Sequence, residues 1–170
     1  MKSITTKKGD KGYTCIWAKE IVSKDDDLVC LLGQIDELIA HFGIVRLYAS
    51  FETKVDCVQI QLGLQDVCAE IIGRKIRTEN NITAIESYIE RLEDQVSIPE
   101  DWYIHGRKES SVFLNLARTK TRECERKIVE LLNKEKLKNE QLIIFFNRLS
   151  DFCFLAMLYE DQNTSKEVNK

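Results

Sequence analysis

The sequence is short of the residues that punctuate a chain. It has seven Gly and one Pro in 170 residues, about 5% of the chain against roughly 12% in average usage. A β-sandwich, a barrel or a Rossmann sheet with Gly-rich turns needs more than this, so the expected fold class is all-α. Paired metal-binding cysteines are also missing. Cys15, Cys30, Cys57, Cys68, Cys124 and Cys153 stand singly, with no Cys-x-x-Cys and no Cys/His spacing of a zinc site. There is no basic surplus: 28 acidic and 25 basic side chains give a net charge of −3, which argues against nucleic acid as a partner. The most apolar run, Leu142 to Tyr159, is interrupted by Asn147, Arg148, Ser150 and Asp151, and is expected to be a buried core helix rather than a membrane span. No G-x-x-x-x-G-K-[ST] loop occurs. The opening Met1-Lys2-Ser3-Ile4-Thr5-Thr6 lacks the pattern of a signal peptide, so reduced thiols in a cytoplasm are expected.

What is present is a helical pattern. Hydrophobic residues make 44% and charged ones 31%, and a chain of this size can bury one continuous core as a single domain. Residues 1–27, with Gly9, Gly12 and a mix of Lys, Asp and Thr, show no helical stripe and are expected to form a ligand-binding arm. Residues 28–161 carry five helices, and 162–170 form a polar tail. The first helix is marked by Leu28, Leu31, Ile35, Leu38, Phe42 and Val45, and the second covers about 53–72. Ile82, Ile85, Ile89, Leu92 and Val96 mark the third, with Thr83 and Glu86 as a capping box at its start and Pro99 beyond its end. The fourth runs from about 110 to 132 and the fifth from about 139 to 161. Joined mostly by short connections, they predict an antiparallel five-helix bundle.

Three groups of residues could carry chemistry. Arg118, Arg122, Glu125 and Arg126 fall at i, i+4, i+7 and i+8, one ridge of the fourth helix. Two arginines four apart repel unless an anion lies between them, although contacts with Glu125 on a solvated face would also account for them. Asn147, Arg148 and Asp151 interrupt an apolar helix, and Asp36 sits similarly on the first. Pairing Asp36 or Asp151 with Arg118 or Arg148 would satisfy these groups, and the same bridges could orient arginines toward an anion. Finally, Thr6-Lys7-Lys8-Gly9-Asp10-Lys11-Gly12-Tyr13-Thr14 supplies hydroxyls, ammonium groups and close backbone approach, the ingredients of a polyphosphate cradle.

Together these blocks resemble the PduO-type ATP:cob(I)alamin adenosyltransferases. The family's T-K-T-G-D-x-G-x-T is matched by residues 6–14 except at Lys8. Its S-K-D-D-x-R-V-E-x-x-G-x-x-D-E-L is matched by Ser23-Lys24-Asp25-Asp26, Val29, Gly33 and Asp36-Glu37-Leu38. Its A-R-T-x-x-R-R-A-E-R is matched by Ala117-Arg118-Thr119, Arg122 and Glu125-Arg126, and its N-R-L-S-D by Asn147 to Asp151. The ordered blocks span about residues 4–160.

The resemblance implies a five-helix bundle that assembles as a homotrimer with sites between subunits. It implies transfer of the 5′-deoxyadenosyl group of ATP to cob(I)alamin with release of triphosphate, assisted by Mg²⁺, with a separate reductase supplying Co(I). By position, Thr6, Lys7, Gly9, Asp10, Gly12 and Lys24 would hold the triphosphate. Arg118, Arg122, Glu125 and Asn147 would face ATP, with Asp36 fixing Arg118 through a salt bridge. Trp102, from the loop aligned with F-I-L-P-G-G, would fill the lower face of cobalt. Departures from the family pattern are Leu28 and Cys30 for Arg and Glu, Glu123 for the second Arg of the pair, and His105 and Arg107 for Pro and Gly. His105 reads as a loop histidine, because residues 101–107 do not match the Asp-x-His-x-x-Gly of histidine-ligated cobalamin proteins, and His41 as a helix-face residue. Two other functions fit the same bundle: a carrier or regulator that binds corrinoid or ATP, and a helical scaffold with no ligand.

Overall fold

The computed structural model describes residue 5 and residues 7–16 and 20–163. A small antiparallel hairpin, β1 (Tyr13–Cys15) and β2 (Ile21–Ser23), pairs Tyr13 with Ser23. Five helices follow: α1 (Asp27–Tyr48), α2 (Phe51–Ile71), α3 (Thr78–Glu93), α4 (Glu109–Asn133) and α5 (Gln141–Gln162). The all-α expectation holds for the bundle, and the hairpin is an addition to it.

Local chemistry sets the helix starts. The Asp26 carboxylate accepts from Leu28 N at 2.8 Å and caps α1, and Ser50 Oγ accepts from Thr53 N to cap α2. The third helix differs from the sequence expectation at both ends. It begins at Thr78, whose hydroxyl donates to Glu70 of α2. Thr83 is therefore inside the helix, and its hydroxyl donates to the Glu79 carbonyl at 3.1 Å instead of capping. α3 ends at Glu93, well before Pro99, and the chain beyond it is clasped by Gln162, which accepts from Ser97 N at 2.9 Å and donates to Ser97 O at 2.7 Å.

α5 is the central element, packed chiefly on α4 and α3, while α1 packs on α4 and α2. Phe145, Phe146, Leu149, Phe152 and Cys153 of α5 are fully buried, and truncating one of these phenylalanines to Ala would cost on the order of 3–5 kcal/mol. By length and composition α1 and α5 are each apolar enough to cross a membrane; here the apolar residues of α5 fill the bundle core. The polar block on α5 does not lie within that core, as its sequence neighbours suggest. Asn147 and Arg148 are half-buried and Asp151 is exposed, so they form an outer stripe while Ser150 turns inward.

Candidate functional site

On α4, helix phase sorts the charged residues into two flanks. One faces α1: Lys120 Nζ pairs with Glu37 at 2.7 Å and Glu123 at 3.2 Å, Gln34 donates to Glu123 at 2.9 Å, and Lys127 pairs with Asp27 at 2.8 Å. The other faces α5 and carries Arg118, Arg122 and Glu125. Asn147 donates to Glu125 across a long 3.5 Å contact and accepts from Arg148 at 3.1 Å. Arg148 is held by Glu86 at 3.1 Å and approaches Asp151 at 3.9 Å. Partial burial pushes the Asp151 carboxyl above the usual range, and the Arg148 and Arg122 charges oppose that rise. Three of the site residues expected from the sequence, Arg118, Arg122 and Glu125, thus share one ridge of α4, and a fourth, Asn147, meets it from α5.

The expected salt bridge between Asp36 and Arg118 is not formed within the chain. Arg118 instead donates to Asn115 Oδ1 from Nε at 3.1 Å and Nη2 at 3.0 Å. Asp36 is exposed and lies on the flank of α1 nearest α2, where its charge adds to the burial that raises the Cys68 thiol. One residue further along, Glu37 is the carboxylate that meets α4.

The arm is shaped by glycine. Gly12, at φ +81°, adopts a conformation that side chains other than hydrogen rarely take, and its carbonyl accepts from Lys24 N at 2.9 Å. A Cβ on Gly9 would stand 3.0 Å from Lys24 Nζ, so the absence of a side chain lets that ammonium lie across the turn. Lys7, Gly9, Asp10, Gly12 and Lys24 are therefore gathered in one turn; Thr6 lies outside the described residues. The hairpin packs mainly on itself and leads into α1 at the end where Asp27 meets Lys127 and Lys136. The arm and the arginine ridge are accordingly separate within one chain.

A third feature joins the ridge. Between α3 and α4 the chain lines an open cavity of about 620 Å³, whose walls include Trp102, Tyr103, His105, Arg118, Phe154 and Met157. Arg118 and Phe154 also line an adjoining groove with Arg122 and Asp151. Trp102 is fully exposed and Ile104 is 91% exposed, whereas Tyr103 and His105 are half-buried. Alternate residues of this loop thus turn out and in.

Two carboxylates that sequence reasoning missed hold this region. Asp161, 1% exposed, accepts from Gly106 N at 3.1 Å, Arg107 N at 2.9 Å, Lys108 N at 3.2 Å and the Tyr103 hydroxyl at 3.2 Å. Burial, then the Asp161 charge, raises the Tyr103 phenol. Its neighbour Glu160 accepts from Ser50 N at 3.0 Å, Ser50 Oγ at 2.7 Å and Ser110 Oγ at 2.9 Å, tying α2 to the start of α4. The sequence signal was a pair of adjacent acids at the end of the apolar run Phe152–Tyr159.

The remaining departures are placed as follows. Glu123 belongs to the α1 flank rather than the arginine ridge, Leu28 packs on the core and Cys30 is exposed. Arg107 lies over the Tyr103 ring at 6.0 Å. Burial raises the thiols of Cys124 and Cys153 to about 12 and Cys68 to about 11, which leaves these three poor nucleophiles. Among the described residues, no group of three His, Cys, Asp or Glu side chains is placed to hold a metal ion.

Comparison with known proteins extends these observations. A family model described as cobalamin adenosyltransferase matches residues 4–160. The corrinoid adenosyltransferase of Bacillus subtilis is 31% identical over 161 residues, covering 89% of this chain and 82% of that protein. The corrinoid adenosyltransferase PduO of Salmonella typhimurium is 29% identical over 98% of this chain, which spans only about half, 52%, of that relative. A solved variant of the PduO-type ATP:corrinoid adenosyltransferase from Lactobacillus reuteri, complexed with cobalamin and ATP, is 30% identical with a TM-score of 0.87, covering 96% of this chain and 93% of that one. With that family model matched over residues 4–160 and a fold shared along nearly its whole length, the chain belongs to the cobalamin adenosyltransferase family.

Proposed function

We propose that the protein transfers the 5′-deoxyadenosyl group of ATP to the cobalt of cob(I)alamin, giving adenosylcobalamin and triphosphate. The observation that carries this reading is the continuity of the arginine ridge with the aromatic-lined cavity through Arg118. It would place a polyanion site beside a site of the size and polarity to take part of a corrin ring. In the reaction Co(I) would donate its electron pair to C5′ to form the cobalt–carbon bond, while the C5′–O bond breaks and triphosphate leaves with the bonding pair of that C–O bond. No proton transfer by the protein is needed, so its work is positioning and charge stabilisation. Arg118 and Arg122 offer permanently charged planar donors to phosphate oxygens; Asn147 and Glu125 offer hydrogen bonds to the nucleoside. The turn of Lys7, Gly9, Asp10, Gly12 and Lys24, with Thr6, would hold the triphosphate, and Mg²⁺ would arrive on the phosphates. Trp102 would approach cobalt from the cavity mouth.

Because the arm and the ridge are apart within one chain, the reading includes a homotrimer in which the arm of one copy closes on the ridge of another. Asp36, exposed and without an ion-pair partner among the described residues, would then meet Arg118 of a neighbouring copy. A cytoplasmic setting and a separate reductase that supplies Co(I) belong to the same proposal. Its test is purified protein mixed with ATP, Mg²⁺ and chemically reduced cob(I)alamin, with the absorbance of the new cobalt–carbon bond followed in time. Turnover supports the enzyme reading. ATP and cobalamin bound without turnover would overturn it in favour of a carrier.

A further inference from the structure

α3 supplies no residue to the arginine ridge, yet it reaches the ridge through one chain of hydrogen bonds. Glu86 of α3 accepts from Arg148 Nε at 3.1 Å, and Arg148 Nη1 donates to Asn147 Oδ1 at 3.1 Å. Asn147 Nδ2 in turn points to Glu125 of α4 across 3.5 Å. Stability does not account for this chain. The side chains of its ion pair, Arg148 and Glu86, are 39% and 44% exposed, and a pair so placed contributes little to folding. Nor does helix geometry account for it. Neighbours in sequence on a helix point about 100° apart, so the contact of Arg148 with Asn147 needs something to hold the guanidinium there.

We propose that Glu86 is a positioning residue for the nucleoside of ATP, acting through Arg148 and Asn147. This rests on the ATP-binding part of the proposed function. A guanidinium can only donate, so the Asn147 atom that meets it has to be the carbonyl oxygen. The amide NH₂ is thereby turned toward Glu125 and the ridge. The 3.5 Å contact with Glu125 is too long to hold the amide by itself. Glu86 decides where the guanidinium lies, because the groove between α3 and α5 offers it other acids, Glu90, Glu93 and Asp151. Asp151 already stands 3.9 Å from Arg148 Nη1. Without Glu86, Arg148 turns to one of these carboxylates and releases the Asn147 oxygen. The amide then rotates, and its donor is no longer prearranged for the nucleoside. The triphosphate, which the proposal assigns to the arm and the two arginines, does not depend on this chain.

The test compares two probes by calorimetry in the presence of Mg²⁺: ATP, and inorganic tripolyphosphate, which carries no nucleoside. The wild type, Glu86→Ala, Asn147→Ala and the double variant are titrated, with folding followed by helical circular dichroism. Arg148→Lys is added because it keeps the charge but lacks the planar fork that spans Glu86 and Asn147. The expected result for Glu86→Ala and for Arg148→Lys is an ATP affinity about fivefold lower or more, with tripolyphosphate affinity unchanged. In the Asn147→Ala background, Glu86→Ala should bring no further loss, since its effect passes through that amide. Unchanged ATP affinity in both single variants, equal weakening of the two probes, or a further loss in the double variant overturns the positioning role. Folded wild-type protein that binds neither probe overturns the ATP-binding reading as well.

Discussion

Asp161 is the residue whose removal most directly tests how the cavity loop is held. Among the described residues its buried carboxylate accepts hydrogen bonds from Tyr103, Gly106, Arg107 and Lys108. Hydrogen bonds to a charged acceptor contribute roughly 1.5–3 kcal/mol each. The full sum does not apply, because Gly106 and Arg107 are exposed and Lys108 half-exposed, so water can replace the carboxylate at their N–H groups. Asp161→Ala should therefore cost about 3 kcal/mol, which for a chain of this size corresponds to a fall in Tm of roughly 6–12 °C. Asp161→Asn keeps one acceptor oxygen and turns an amide toward donors, so it should lie between the two. The readout that a merely structural role would not move is ligand selectivity. With the loop released, calorimetric affinity for cobalamin should fall about tenfold, equivalent to about 1.4 kcal/mol, while affinity for ATP, which the proposal assigns to the arm and the arginine ridge, stays the same. A loss below about 1 kcal/mol, or an equal weakening of both ligands, would refute this account of the loop.

Arg122 is exposed and lines the groove beside Asp151; Arg122→Ala should weaken ATP binding by about tenfold or more with Tm unchanged, and unaltered calorimetric ATP affinity would remove it from the site. Asp36→Asn should leave the melting temperature of the dilute single chain unmoved, since Asp36 has no ion pair among the described residues, while shifting sedimentation at higher concentration toward smaller species; destabilisation of the single chain would disprove the placement. Lys127 and Lys136 beside Asp27 hold its carboxyl below the usual carboxylate range. A depressed folded-state value contributes stability that is complete above the unfolded value near 4 and is lost as pH falls toward the folded one. Asp27→Asn should therefore flatten the acid limb of Tm against pH below about 4, and parallel limbs in the two proteins would contradict the linkage.

The fold was legible where burial alone shapes it. The stripes of α1, α4 and α5 run through their sequences at helical spacing, and the buried residues Leu31, Ile35, Leu38 and Phe42 are those the period selects. It was less legible where a distant partner decides. The start of α3 is set by Thr78 meeting Glu70, and Thr83, though it sits in a well-formed capping sequence, falls inside the helix. The three-residue strands of the hairpin are too short to show a period. Asp161 looks like an ordinary helix-terminal acid until its partners, 53 to 55 residues earlier, fold back onto it.

The candidate site divides along the same line. Motifs identified the residue types, but helix phase assigned their work. Asp36 and Glu37 are adjacent in one motif, yet about 100° of helical rotation gives Glu37 to Lys120 and leaves Asp36 outside the contact with α4. Arg122 and Glu123 are adjacent in another, and the same rotation puts Arg122 on the ridge facing α5 and Glu123 among Lys120 and Gln34. The acid that stands where the family has its second arginine is thus absorbed by a lysine and an amide that join α1 to α4. It adds no carboxylate to the ridge of Arg118 and Arg122, so the charge that ridge can offer to a polyphosphate is preserved.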